Sequence, residues 1–123
     1  MKSIKASTYF VHFKNKGYEE LNALLIKKNY SSIFILVDEN TLEHCYPSFI
    51  ETLETKKRIE VIEIESGEIY KNLDTCDGVW NALTELSADR NSLLITLGGG
   101  VITDLGGFVA STFKRGIDFV NIP

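Results

Sequence analysis

Hydrophobic and polar positions follow two different periods along this chain, and each period predicts one type of element. Near-continuous apolar runs at 32–37 and 92–97 are typical of strands that are buried on both faces. From 69 to 86 the apolar residues recur every three or four positions, which predicts a long amphipathic helix. A weaker alternation over 59–64 indicates a strand near the edge of the sheet.

The remaining segments complete an alternation of strands and helices. The same reasoning predicts a strand at 9–11, a helix after Gly17, a short helix at about 47–56, a helix at 101–113 and a last strand at 117–122. This order favours a doubly wound, mostly parallel α/β sheet, because right-handed crossovers return each helix to the sheet. No helix follows the last strand, so we expect a piece of a longer chain whose uncovered strand edge favours oligomers.

Length and charge narrow the possible functions. The 123 residues, with 44% hydrophobic residues, predict a single domain over 1–123. With 13 Lys+Arg against 17 Asp+Glu, the chain lacks the basic surface of a nucleic-acid-binding protein. No stretch is long and apolar enough for a membrane span or a secretory leader, and Cys45 and Cys76 have no partner at zinc-ligand spacing. These features predict a cytoplasmic protein.

A glycine triplet, Gly98 to Gly100, lies between a predicted buried strand and the next helix. Such a turn can present unhindered N–H groups to a diphosphate at the positive end of the helix. The alternative is a tight turn that binds nothing. The sequence continues neither as GxGxxG nor as GxxxxGK[ST], so the common dinucleotide and nucleoside-triphosphate motifs do not apply.

Polar residues follow two other strands, and each has two interpretations. Asp38 ends a strand, where its carboxylate could bind a ribose diol or cap a helix, and Asn40 carries the same ambiguity. Glu68 and Lys71 are three residues apart at a helix start, where they could hold hydroxyl and phosphate groups or form a solvated surface pair.

The helix after the glycines holds further candidates. Asp104 is predicted in its first turn, where a carboxylate either favours the helix dipole or contacts a ligand. Gly106 and Gly107 are costly inside a helix, which indicates a close approach of another group. Arg115 could reach a phosphate or carboxylate, and Gly116 is predicted to end the helix.

A long motif joins these features. It comprises Gly98-Gly99-Gly100-Val101-Ile102-Thr103-Asp104-Leu105-Gly106-Gly107-Phe108-Val109-Ala110, then Arg115-Gly116, Phe119 and Pro123, preceded by Asp38-x-Asn40 and Gly67-Glu68-x-x-Lys71. Over about 31–123 the chain resembles the N-terminal part of the 3-dehydroquinate synthase family. The resemblance implies the Rossmann-like N-terminal domain of the dehydroquinate synthase-like fold.

The resemblance also implies an activity. The family's enzymes are homodimeric lyases of the shikimate pathway, which convert 3-deoxy-D-arabino-heptulosonate 7-phosphate into 3-dehydroquinate and orthophosphate. They use NAD as the redox cofactor together with zinc or cobalt. The family's metal ligands and catalytic lysines would lie beyond Pro123, so the resemblance places no catalytic residue and no metal ligand in this chain, and we expect it to be inactive alone.

The resemblance carries binding roles to particular positions. It implies NAD contacts at Asp38, Asn40, Ser66, Gly67, Glu68, Lys71, Gly99, Gly100, Val101 and Asp104, and a substrate contact at Arg115 that could be made across a dimer interface. Other sugar-phosphate cyclases, such as 2-deoxy-scyllo-inosose and valiolone synthases, share the glycine run and stay open as alternatives. Iron-dependent alcohol dehydrogenases typically lack the continuation from Asp104 to Gly116. A non-catalytic nucleotide-binding module is the third alternative.

Overall fold

The computed structural model describes residues 8–10, 15–66 and 73–122. Within these ranges five strands alternate with helices, as the hydrophobic pattern predicts. The strands are β1 (Thr8–Phe10), β2 (Ser32–Asp38), β3 (Arg58–Ile64), β4 (Leu93–Leu97) and β5 (Asp118–Ile122). The helices are α1 (Asn15–Lys28), α2 (Glu39–His44), α3 (Tyr46–Thr52), α4 (Leu73–Glu85) and α5 (Gly100–Thr112), and a 3-10 turn follows at Phe113–Arg115.

All described strand pairs are parallel, in the order β1-β5-β4-β2-β3. β3 lies at an edge, as its weaker apolar alternation predicts. β5 does not: it pairs with β1 on one side and β4 on the other, so the prediction of an uncovered last strand is wrong. The first strand of the chain covers that edge, a long-range pairing that local pattern could not reveal. The oligomer was expected because of an uncovered edge on β5, and that reason no longer holds. Oligomerisation itself stays a prediction.

Side chains that alternate along the strands build two apolar cores, one on each face of the sheet. Phe34 and Leu36 pack with α4 and α5 on one face. Ile33, Ile35 and Val37 pack with α1 and α3 on the other. Because both faces are covered, the central strands need apolar residues at nearly every position. The doubly wound α/β fold predicted from these runs is confirmed.

The segment after β2 differs from its prediction. A helix was expected over about 47–56, but two short helices occur, α2 and α3, and α3 ends at Thr52. Asp38 caps the first of them, and Pro47 lies in the first turn of the second. At the C-terminal end of α3, the Asn22 side chain on α1 bonds to the backbone before and after Leu53. Its Nδ2 donates to the Thr52 carbonyl and its Oδ1 accepts from the Glu54 amide, each at 2.9 Å.

The start of α4 stays a prediction, and the end of α5 differs from the predicted helix end. The long helix predicted from Ile69 is described from Leu73, and positions 69–72 lie outside the described residues. α5 ends at Thr112, so Gly116 does not cap it. Gly116 instead closes the 3-10 turn, donating its amide to the Phe113 carbonyl at 2.7 Å. No helix in the described part of the chain is long and apolar enough to cross a membrane.

Candidate functional site

The carboxyl ends of the parallel strands share one edge of the sheet, and the centre of that edge lies between β2 and β4. The connection from β2 leads to α2 and α3 on one face, and the connection from β4 leads to α5 on the other. In open α/β sheets, ligands bind in the crevice where the winding reverses in this way. Asp38 ends one of these strands, and Gly98 follows the other.

The glycine turn after β4 leaves the start of α5 open. Gly98 has φ +136°, a conformation that favours glycine, and its amide donates to the Ile122 carbonyl at 3.0 Å. Gly99 is the N-cap of α5 and supplies no side-chain acceptor. A Cβ added at Gly99 or Gly100 would meet nothing within 4 Å. Both glycines are exposed and no side chain caps the first amides of α5, an arrangement that suits a phosphate group.

The start of α2 lies against this turn and is capped in the ordinary way. A Cβ added at Gly98 would lie 3.1 Å from Thr41 Cγ2, so the two turns are in close contact. Asp38 Oδ1 accepts from the Thr41 amide at 2.8 Å, and Thr41 Oγ1 accepts from the Asp38 amide at 3.0 Å. The capping interpretation of Asp38 is therefore confirmed, and ribose binding stays a prediction. Asn40 is exposed in the first turn of α2.

Glu39 joins the ends of β2 and β3, a role that the sequence did not reveal. Its Oε1 accepts from the Ser66 amide at 2.9 Å, and its Oε2 accepts from the Ser66 hydroxyl at 2.6 Å. The Ser66 hydroxyl, followed by the backbone amides of Glu39 and Ser66, lowers the pKa of the Glu39 carboxyl below its ordinary value of 4.5. Ser66, a predicted cofactor contact, is thus held in place from the β2 side.

This bond predicts an acid-dependent difference between wild type and Glu39→Gln. Because the folded-state pKa of Glu39 is lowered, its contribution is complete at neutral pH and is lost as pH falls through that pKa, below about 4.5. Urea unfolding from pH 7 to pH 3 should show wild type more stable at pH 7 and the difference closing in acid. Glu51→Gln, an exposed charge on α3, controls for loss of charge. A difference that is independent of pH would contradict the assignment.

The structure describes only some of the other residues that were predicted to contact NAD. Gly67, Glu68 and Lys71 lie outside the described residues. Val101 is half-buried next to the glycine turn. Asp104 is the fifth residue of α5 and therefore starts its second turn; the first-turn prediction is wrong because the helix begins at Gly100.

Arg115 is far from the glycine turn of its own chain. It follows α5, whose 13 residues correspond to a length of about 20 Å, so it lies at the opposite edge of the sheet. Both Lys114 and Arg115 have positive φ, 46° and 71°. A substrate contact by Arg115 stays a prediction.

Three polar residues beside the glycine turn escaped sequence analysis. Thr96 on β4 and Thr103 on α5 both donate to Asn121 Oδ1 on β5, at 2.8 and 2.7 Å. Thr96 and Asn121 are buried. A signal for two of them exists in the sequence, because Thr96 and Asn121 are each a polar residue at the last position of its strand that faces α5.

The expectation that this chain holds no metal ligand stays a prediction. Among residues 8–10, 15–66 and 73–122, no group of three His, Cys, Asp or Glu side chains could hold a metal ion. Cys45 is exposed, Cys76 is buried, and both are free thiols. Burial raises the pKa of the Cys76 thiol, which keeps it protonated and unreactive.

Comparison with known proteins identifies the family. The family model for the N-terminal part of 3-dehydroquinate synthase matches residues 61–123, about half of the chain. The 3-dehydroquinate synthase of Parabacteroides distasonis is 43% identical over 104 residues, which cover 85% of this chain and 29% of that protein. The chain therefore spans less than a third of that relative's length.

Solved structures share the fold at low sequence identity. A 2-deoxy-scyllo-inosose synthase complexed with carbaglucose-6-phosphate, NAD+ and Co2+ aligns with a TM-score of 0.79 and 19% identity, covering 94% of this chain and 31% of that one. A 2-epi-5-epi-valiolone synthase from Streptomyces hygroscopicus with NAD+ and Zn2+ bound aligns with a TM-score of 0.68 and 22% identity, covering 100% and 33%. From the family match, and with the parallel sheet and glycine turn in place, the chain belongs to the 3-dehydroquinate synthase family.

Proposed function

We propose that this chain is the NAD-binding part of a 3-dehydroquinate synthase. The observation that carries the proposal is the uncapped start of α5, where Gly99 and Gly100 supply no side chain that would bond to the backbone amides or cover them, at the point where the sheet reverses its winding. Such a site suits the pyrophosphate of a dinucleotide, because both the amides and the helix dipole favour negative charge. The complexes of two structural neighbours with NAD+ support the same ligand.

The residues around this turn fit the rest of the dinucleotide. Asp38 lies across the crevice, and its capping bond uses only Oδ1. No described residue donates to Oδ2, which is therefore available to accept from a ribose hydroxyl. Ser66, held by Glu39, comes from the next strand end. We propose that Gly67, Glu68 and Lys71 complete this side, and that Asn40, Val101 and Asp104 contribute further contacts.

For the whole protein we propose the conversion of 3-deoxy-D-arabino-heptulosonate 7-phosphate to 3-dehydroquinate and orthophosphate, as a step of aromatic biosynthesis. Bound NAD would supply reversible hydride transfer, and this chain's share is to bind and orient it. We propose that the divalent metal implied by the family binds elsewhere in the whole protein; no group of three His, Cys, Asp or Glu side chains among the described residues could hold it. Arg115 would bind substrate only from a second copy, which makes a homodimer part of the proposal.

Another sugar-phosphate cyclase is the second candidate. Its support is the fold, which 2-deoxy-scyllo-inosose synthase shares at a TM-score of 0.79. The sequence favours the first candidate, because identity to a 3-dehydroquinate synthase is 43% against 19% for that cyclase. The proposal predicts the same cofactor in both cases, so the substrate must be tested on the complete protein.

Titration of NAD into the 123-residue chain tests the binding step. Because a ligand that binds only the folded state stabilises it, NAD at about 100 times its Kd should raise the free energy of unfolding by about 2.7 kcal/mol. Calorimetry gives the affinity, and an orthophosphate assay with the heptulosonate substrate should show no turnover by this chain alone. If millimolar NAD does not change the free energy of unfolding, the proposed cofactor site is contradicted. If the chain alone releases phosphate, the expectation that its catalytic residues lie outside this chain is contradicted.

A further inference from the structure

A buried polar cluster lies directly beneath the glycine turn. It consists of Thr96, Thr103 and Asn121, and we call it the threonine-asparagine cluster. Asn121 Oδ1 accepts two hydrogen bonds, from Thr96 Oγ1 at 2.8 Å and from Thr103 Oγ1 at 2.7 Å. Thr96 is completely buried, and Asn121 is 7% exposed. One amide oxygen therefore joins β4, β5 and α5.

The cluster is confined to one end of an otherwise apolar layer. Thr96 and Asn121 are register partners on neighbouring strands, one step beyond the paired residues Leu94 and Phe119 on the same face. Those two residues belong to the hydrophobic core beneath α5. The change from apolar to polar thus occurs at the carboxyl end of the strands, where α5 and the glycine turn begin.

Stability alone does not explain these residues. Replacing both partners of a buried hydrogen bond with apolar groups of the same shape is nearly neutral or even stabilising, and this position adjoins a hydrophobic core. A fully satisfied polar network has a different effect, because its directional bonds select one arrangement of the elements that it joins. No buried side-chain nitrogen or oxygen among the described residues lacks a partner, so the cluster is satisfied.

The threonine-asparagine cluster fixes the position of the first turn of α5. The Thr103 hydroxyl lies 3.4 Å from the Gly98 carbonyl as well as bonding to Asn121. The Thr103 amide donates to the Gly99 carbonyl at 3.3 Å. From the other side, the Gly98 amide donates to the carbonyl of Ile122, the residue after Asn121. The end of β5 therefore holds the glycine turn through a side chain and through the backbone.

We propose that Asn121 is a positioning residue for the dinucleotide, acting through Thr103. It orients the first turn of α5 so that the amides of Gly100 and Val101 point into the crevice, while Thr96 holds the Asn121 side chain from below. Asn121 touches no reacting group in this role. The inference rests on the proposed NAD site for its functional meaning, but the placement of the turn can be measured without a ligand.

Two isosteric variants separate positioning from general stability. Thr96→Val and Thr103→Val each remove one hydroxyl donor from the same Asn121 oxygen, but only the second breaks the link to α5. Both should shift the urea unfolding midpoint by similar amounts. Amide hydrogen exchange by NMR, normalised for intrinsic rates, should show about tenfold lower protection at Gly98 and at position 103 in Thr103→Val than in Thr96→Val. Thr103→Ser, which restores the hydroxyl, should recover the protection.

NAD binding gives the functional readout. Thr103→Val should weaken binding about tenfold and Thr96→Val less than about threefold, since a factor of ten corresponds to about 1.4 kcal/mol. Equal protection of both amides in the two valine variants would overturn the positioning role, whatever their affinity. If the protection differs as expected but wild type does not bind NAD, the effect of Asn121 on the glycine turn stands, and both the proposed cofactor and the positioning of that cofactor are wrong. If wild type binds NAD and both variants bind equally, the inference fails and the proposed function survives.

Discussion

Replacing Gly106 with alanine is expected to lower the free energy of unfolding by about 2–3 kcal/mol, although alanine is the better helix former. A Cβ at this position would overlap the Cγ2 methyl of Thr96 and come within 3.2 Å of the Phe119 ring. Thr96 cannot turn aside, because it is β-branched, completely buried and bonded to Asn121. The contact with β4 therefore requires glycine, which explains a residue that helix propensity disfavours.

Gly107 is the matched control for that substitution. It follows Gly106 in the same helix, but an added Cβ would lie 3.5 Å from the Phe119 ring, an ordinary van der Waals distance. Gly107→Ala should leave the protein as stable as wild type or raise the free energy of unfolding by up to about 1 kcal/mol. Chemical denaturation of the two variants measures the contrast. Equal stability of both variants would mean that α5 does not approach β4 as closely as the structure indicates.

The second large effect is expected at Gly99, where stability and binding should change in opposite directions. Gly99 and Asp38 are both N-caps with similar backbone angles, φ −105° and ψ −161° against φ −107° and ψ 179°. An aspartate therefore fits at 99 without strain and can cap α5 as Asp38 caps α2. Gly99→Asp should maintain the free energy of unfolding or raise it by about 0.3 kcal/mol or more. The same carboxylate occupies the amides that NAD would use.

NAD binding by Gly99→Asp should consequently fall by about 100-fold, because the carboxylate both blocks the donors and repels the pyrophosphate. Gly99→Asn is the control that keeps the cap but removes the charge, and it should lose less affinity than the aspartate variant. Calorimetric titration beside urea unfolding records both quantities on each protein. Undiminished NAD affinity in Gly99→Asp would place the pyrophosphate somewhere other than the start of α5.

The sequence predicts the α/β class well because burial on both faces leaves a mark on each strand. β2 and β4 are apolar at nearly every position, and β3 is mixed because it lies at an edge. The prediction is less successful between β2 and β3, where Asp38, Glu39 and Asn40 suit both a ligand-binding loop and a helix start. Short polar helices such as α2 bury no residue, so they have no hydrophobic period to detect.

The candidate site also has features that the sequence predicts and features that it does not. Glycine at 98 follows from a backbone conformation with positive φ, and the motif that contains it identifies the family. Glycine at 106 is explained only by the close approach of α5 to Thr96 on β4. Glu39 bonding to Ser66, and Asn121 bonding to Thr96 and Thr103, could not be predicted, since each pair is joined only when distant strand ends meet.

The amino-acid sequence by itself determined the alternation of elements, the burial of the central strands and the family, because these depend on periodicity and on one contiguous motif. Only the tertiary structure decided that β5 lies inside the sheet, that Glu39 bonds to Ser66, and that Arg115 is at the opposite edge from the glycine turn. The physical reason is that strand order and side-chain partners arise from contacts between residues far apart in the chain, and such contacts leave no local pattern.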